Sequence, residues 1–288
     1  MNTIAILQAR MGSSRLPGKV LKPILGRPML ELQIERLRRC KKIDRLVVAT
    51  SVNPEDQAIA DRCHRVGVDC FRGDPENVLD RFYRAAKQYN PGHVVRLTGD
   101  CPLADPSLID DLVEFYLAHG YDYASNCHEP SLPDGLDAEI FSFSALEQAW
   151  REAELPSHLE HVTLFIRSNP NRFKIASYRY HTDLSHLRWV VDEPEDLEFV
   201  RRVYEAIYPI KPEFGTEDIL ALLERRPELL KLNEGLKRNE GAKRSIEEDK
   251  EFLARKRISQ PKNSKIHRRR HMKIVGEELE QNPKNEKK

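Results

Sequence analysis

Three cations, Arg10, Arg15 and Lys19, fall within ten residues, set among Gly12, Ser13, Ser14, Pro17 and Gly18. Small residues let backbone N–H groups come close to an anion, and the cations neutralise it. The stretch therefore suits a polyphosphate better than an uncharged ligand. It is not a P-loop: Gly12 to Gly18 is one residue too long for G-x-x-x-x-G-K-[ST], and Lys19 is followed by Val20. With no hydroxyl after the lysine to meet a metal ion, a divalent cation on the phosphates needs carboxylates from elsewhere. Asp100, straight after HVVRLT-Gly99, and Asp192, at the end of LRWVVD, are placed to supply them. Asp105-Pro106 reads as a helix cap, whereas Asp100 is too far upstream to cap. Asp192, directly before Glu193-Pro194-Glu195-Asp196, suits a helix N-cap as well as a metal, and the residues alone leave both open.

The elements that must position these groups follow from periodicity. Ile4 to Leu7, Arg45 to Thr50, a short stretch near Cys70, and His93 to Thr98 read as buried strands. Between them, Pro28 to Cys40, a segment opened by Asn53-Pro54-Glu55-Asp56, and Pro75 to Gln88 read as helices. Alternation of this kind means βαβ units and a parallel sheet, a Rossmann-like α/β domain with its ligands at the carboxyl ends of the strands. The half beginning at Tyr121 is less regular. Pro133 to Glu139 packs three carboxylates ahead of a strand at Ile140-Phe141, and one helix is expected from about Ser157 to Ser168. His158 and His161 would share that helix, but no third metal ligand accompanies them. Leu187 to Asp192 reads as a last strand, followed by an amphipathic helix.

QARMGSSRLPGKVL resembles the N-terminal signature of the cytidylyltransferases that make CMP-activated sugar acids, the acylneuraminate and 3-deoxy-manno-octulosonate type. Within them it is most similar to the spore coat polysaccharide biosynthesis protein F group. The resemblance runs from about Asn2 to Tyr208 through TGDCPL, PDGLDAE, EHVT and VDEPED. It implies the nucleotide-diphospho-sugar transferase type of sheet with an inserted dimerisation and substrate region. It implies CTP bound at Leu7, Ala9, Arg10, Ser14, Arg15 and Lys19, with cytosine selected near Leu7 to Ala9 and at Thr50 and Ser51. Magnesium would be held by Asp100 and Asp192, and the sugar side lined by Asp137, Glu139, Glu160 and His161. Arg15 and Lys19, with Asp100, would be the catalytic groups, easing the departure of pyrophosphate as CMP passes to a sugar acid for surface polysaccharide. A homodimer is also implied. Two departures stand out: Glu193 where the family usually has threonine, and Leu164-Phe165 where the nearest relatives tend to have proline and tyrosine.

Composition sets the outer bounds. With 40% hydrophobic and 32% charged residues and a net charge of +1, the 288-residue chain predicts a soluble protein with no general attraction to nucleic acid or other polyanions. No run reaches the apolar length of a membrane helix, and the start lacks a basic leader. Five scattered cysteines argue against a disulfide framework or zinc site, so a reducing cytoplasm is expected. The nucleotidyltransferase domain is expected over 1–232. The tail 233–288, rich in Lys, Arg, Glu and Asn, is expected to be largely disordered. The rival readings are a nucleotide-sugar-dependent glycosyltransferase, for which the usual D-x-D is missing, and a non-catalytic binding protein using the basic tail.

Overall fold

The first strand, β1 (Thr3–Gln8), carries the logic of the fold. Ala5 and Leu7 enter one apolar core, Ile4 and Ile6 the other, and all four are fully buried. A strand covered on both faces must read as an unbroken apolar run, and Ile4 to Leu7 does. Ile4, Ile6 and Leu7 each contribute about 1.5–3 kcal/mol by leaving water.

The computed structural model describes residues 2–236 and 248–255. After β1 come a small hairpin of β2 (Pro23–Ile24) and β3 (Arg27–Pro28), then α1 (Met29–Leu37), β4 (Arg45–Ser51) and α2 (Gln57–Val66). Next are β5 (Asp69–Gly73), α3 (Val78–Lys87), β6 (His93–Thr98) and α4 (Pro106–His119). The less regular half holds β7 (Tyr123–Ser125), β8 (Glu139–Ser142), α5 (Phe143–Glu152), α6 (Pro156–Glu160), α7 (Leu164–Arg167) and β9 (Ile175–Ser177). Last come α8 (Pro194–Ile207) and α9 (Thr216–Arg225). Among the described residues the main sheet has seven strands in the order β5-β4-β1-β6-β8-β7-β9. The β5-β4-β1-β6 half is parallel, and β8 runs antiparallel between β6 and β7. Helices α1, α2, α4, α8 and α9 cover one face; α3, α5 and α7 cover the other. The α/β class and the mostly parallel sheet are as expected.

Two elements differ from the reading of the sequence. Leu187 to Asp192 is not a strand: it makes one isolated bridge, Arg188 with Asp134. Its backbone bonds go to two loops, from Asp134 N–H to Leu187 O (2.9 Å) and from Val191 N–H to Asp100 O (2.8 Å), so no ladder can form. Its apolar alternation is nonetheless real, because Leu187, Trp189 and Val191 all enter the core. Gly135 makes the approach possible: its φ is 108°, and a Cβ there would sit 2.4 Å from Val190 N. The single helix expected over Ser157 to Ser168 is two short ones, α6 and α7, broken at Val162 with φ 54°. His161 therefore lies beyond the end of α6 and does not share a helix face with His158.

By internal contacts the chain divides into two units, Met1–Glu154 with His158–Glu240, and Leu155–Ser157 with Gly241–Lys288. The first runs past the expected end at Leu232. Asn233 is buried and donates from Nδ2 to Arg188 O and Asp196 Oδ1, both at 3.0 Å. In the second unit residues 248–255 are helical, and Ser157 donates to Asp249 from its N–H (3.0 Å) and hydroxyl (2.6 Å). The rest of the expected tail disorder falls outside the described residues.

Candidate active site

A cavity of about 320 Å³ opens at the carboxyl ends of β1 and β6, covered by the loop that follows β1. Gly18, at φ 68°, turns that loop into the short 3₁₀ segment Lys19–Leu21. This turn carries Lys19 inward until only 9% of the residue is exposed. Its Nζ donates to Asp100 Oδ2 (3.1 Å), Asp192 Oδ1 (2.8 Å) and Val191 O (2.8 Å). The two aspartates, 92 residues apart in sequence, thus meet at one positive atom (192 − 100). Arg15 reaches the same cluster, Nη2 to Asp192 Oδ2 at 2.8 Å and Nη1 to Glu193 Oε1 at 3.3 Å.

The two cap questions resolve by geometry. Asp105 caps α4, with Oδ1 accepting from Ser107 N–H (3.0 Å), while Oδ2 accepts from Thr216 N–H (2.6 Å). The N-cap of α8 is Glu193, not Asp192. Asp196 Oδ2 accepts from the N–H groups of both Asp192 and Glu193 at 3.0 Å, leaving the Asp192 carboxylate to face Lys19 and Arg15. Behind it Arg188 links Asp134 (3.0 Å) and Asp196 (2.8 Å) and comes within 3.6 Å of Asp192.

Electrostatics follow from these contacts. Burial alone would raise the Asp100 carboxyl; the Lys19 ammonium and a hydrogen bond to Thr98 outweigh it and hold the group at about 2. Burial lowers Lys19, but Asp100 and Asp192 more than offset that, so its pKa is raised. Both partners stay charged across the physiological range. Among the described residues no three His, Cys, Asp or Glu side chains form a metal cage. Asp100 and Asp192 do offer hard oxygens converging on one cation. Magnesium, which commonly takes one or two carboxylates with phosphates and water, fits that donor set.

Of the nucleotide residues expected from the sequence, Ala9, Arg10, Ser14, Arg15 and Lys19 line the cavity, as do Asp100, Asp192, Glu160 and His161. Others do not. Leu7 is fully buried and paired on both sides, with Val48 and with Leu97, so its backbone groups belong to the sheet. Thr50 and Ser51 are buried in β4, and the Ser51 hydroxyl is spent on Asp56. Asp137 is not among the lining residues. Glu139 is buried and is not among the lining residues; it pairs with Arg96, which does line the cavity, and accepts from Tyr123 Oη (2.6 Å) and Thr163 Oγ1 (2.6 Å). Burial, helped by Arg96 and Arg167, pushes the His161 imidazole below its ordinary value, despite Glu160 at 3.9 Å.

Two lining arginines escaped the sequence reading, Arg81 and Arg96. Arg81 is 1% exposed and its Nε has no hydrogen-bond partner among the described residues, although Nη1 donates to Asp74 O (2.7 Å). The signal was there: Arg81 sits three residues after buried Val78 and four before buried Ala85, on the core face of α3. Arg96 interrupts the apolar run of β6 in the same way.

A family model described as cytidylyltransferase matches residues 4–215. The chain is 38% identical over 238 residues to the uncharacterized protein MJ1063 of Methanocaldococcus jannaschii, covering 82% of this chain and 96% of that one. It is 34% identical over 238 residues to the spore coat polysaccharide biosynthesis protein SpsF of Bacillus subtilis, covering 79% and 97%. Among solved structures it resembles a cytidylyltransferase from Leptospira borgpetersenii serovar Hardjo-bovis, with a TM-score of 0.77 and 32% identity over 83% of this chain and 100% of that one.

Proposed function

From the premise that this chain belongs to the cytidylyltransferase family, whose members are CTP-dependent nucleotidyltransferases, we propose that it transfers CMP from CTP to a sugar acid, releasing pyrophosphate, in the cytoplasmic supply of a surface polysaccharide. The observation that carries this reading is the meeting of Asp100, Asp192 and Lys19 at the mouth of a cation-lined cavity. The sugar acid itself rests on the motif resemblance, and free cysteines suit a reducing compartment.

In the proposed reaction an acceptor hydroxyl attacks the α-phosphorus in line. The new oxygen–phosphorus bond forms as the bond to the pyrophosphate oxygen breaks, and the hydroxyl proton is lost. The chain's work is positioning and charge stabilisation. Arg15 and Lys19 take the charge growing on the departing pyrophosphate, and Arg10 and Ser14 cradle the phosphates. Ala9, which lines the cavity, serves the base in place of Leu7, Thr50 and Ser51, which do not line it. Glu160 and His161 face the acceptor; Glu139 acts at one remove, by fixing Arg96. Asp100 and Asp192 would hold magnesium, whose chemistry when bound is to neutralise phosphate charge as a Lewis acid. The working unit is a homodimer, the commonest closed assembly.

Incubation with CTP, magnesium and a panel of sugar acids, following pyrophosphate, tests the reading. Release dependent on at least one sugar acid supports it. Release only with neutral sugars, or with none of the panel, overturns the acceptor class.

A further inference from the structure

Arg15 is held by two carboxylates at once, Asp192 at 2.8 Å on Nη2 and Glu193 at 3.3 Å on Nη1. The two terminal nitrogens are a pair with which a guanidinium grips a phosphate bidentately. A triphosphate entering the cavity must therefore take Arg15 from Glu193. Asp192 belongs to the site itself, with its other oxygen on Lys19. Glu193 is different, since it is absent from the cavity lining and touches the site through Arg15. It is also the residue at which this chain departs from the V-D-T-P-E-D motif.

We propose that Glu193 is a positioning residue that holds Arg15 as an internal anion, which the nucleotide phosphates must displace. The inference rests on the reading of the cavity as a triphosphate site. Arg15 and Glu193 side chains are 35% and 23% exposed, so the pair is a partly solvated one of modest strength. Displacing it weakens nucleotide binding by that amount, without altering the phosphate contacts finally made. Glutamine at 193 keeps the length, an acceptor oxygen, and the bond from the backbone N–H to Asp196, so the start of α8 survives.

The test is calorimetric titration of CTP, without divalent ion, into the full-length chain and three variants: Glu193→Gln, Arg15→Met and the double variant. Glu193→Thr serves as a second replacement, and thermal unfolding checks that each is folded. Glu193→Gln is expected to bind CTP about two- to fivefold more tightly. Arg15→Met binds more weakly, and the double variant matches Arg15→Met. Unchanged or weaker binding by Glu193→Gln and Glu193→Thr, with Arg15→Met still weakened, overturns the proposal while leaving the triphosphate reading intact. Tightening that persists without Arg15 also overturns it, because Glu193 would then repel the nucleotide directly. An Arg15→Met variant that binds CTP as tightly as the unaltered chain defeats the phosphate role of Arg15, and the proposal with it.

Discussion

Two carboxylate–cation clusters flank β6, and they are built from the same chemistry to opposite ends. At the carboxyl end, Asp100 meets Lys19 where the carboxylate side chain is 28% exposed. On the strand itself, Arg96 meets Glu139, whose side chain is 5% exposed and also takes hydroxyl bonds from Tyr123 and Thr163. Burial opposes both carboxylates and nearby cations hold both at about 2. Equal acidity therefore does not mean equal role. Glu139 is buried and reaches the cavity only through Arg96, whereas Asp100 lines the cavity itself and can exchange its partners for a ligand's.

Breaking the Glu139 cluster should have the largest effect. Glu139→Ala leaves Arg96 buried without its carboxylate, which costs about 3–5 kcal/mol of stability. Denaturant unfolding measures it, and a loss below about 1 kcal/mol would show that solvent in the cavity replaces the carboxylate as the partner of Arg96.

Breaking the open cluster should spare stability and remove chemistry. Asp100→Ala is expected to lower pyrophosphate release by on the order of a hundredfold or more, as is Asp192→Asn. Combined, they should lose far less than the product, since they act as a unit. Because Glu193 is the N-cap of α8, Asp192→Asn should unfold close to the unaltered temperature. An active but destabilised Asp192→Asn protein would return Asp192 to a capping role.

Acid should weaken both clusters together. Asp100 and Glu139 have ordinary values of 3.8 and 4.5 and lie at about 2 in the fold, so the unfolded chain binds the proton more readily. Their contribution, on the order of 2–3 kcal/mol each, is present above about pH 4.5 and is lost as pH falls toward 2. Glu139→Gln should flatten the slope of stability against pH across that window. An unchanged slope would mean that Glu139 titrates normally.

The smallest effect is expected at the far end of the chain. Asn233→Ala removes two hydrogen bonds from the Arg188–Asp196 group and should cost about 1–2 kcal/mol. Truncation after Leu236 keeps Asn233 and should leave turnover unchanged. Loss of turnover on that truncation would make the C-terminal segment part of the site.

What was legible in the sequence was whatever depends on neighbours along the chain. The apolar run of β1, the small-residue loop with its three cations, and Asp100 directly after β6 are local patterns, and the structure has there a buried strand, a loop that lines the cavity and a strand-end carboxylate. What only the tertiary structure decided depends on residues brought from far away. Leu187 to Asp192 alternates like a strand, yet its neighbours are loops, so it delivers Asp192 as a buried extended segment. Leu7, Thr50 and Ser51 stand beside the right loop, but pairing on both sides or burial removes them from the cavity. Glu139 and Glu160 are both acidic residues of family-like motifs; packing against Arg96, Tyr123 and Thr163 buries one, while the other lines the cavity. Arg81 becomes a lining residue only when α3 docks its core face beside the first strand's loop. Periodicity reports which side of an element is buried, but whether that side meets apolar core, a counter-charge or a cavity is set by non-local packing.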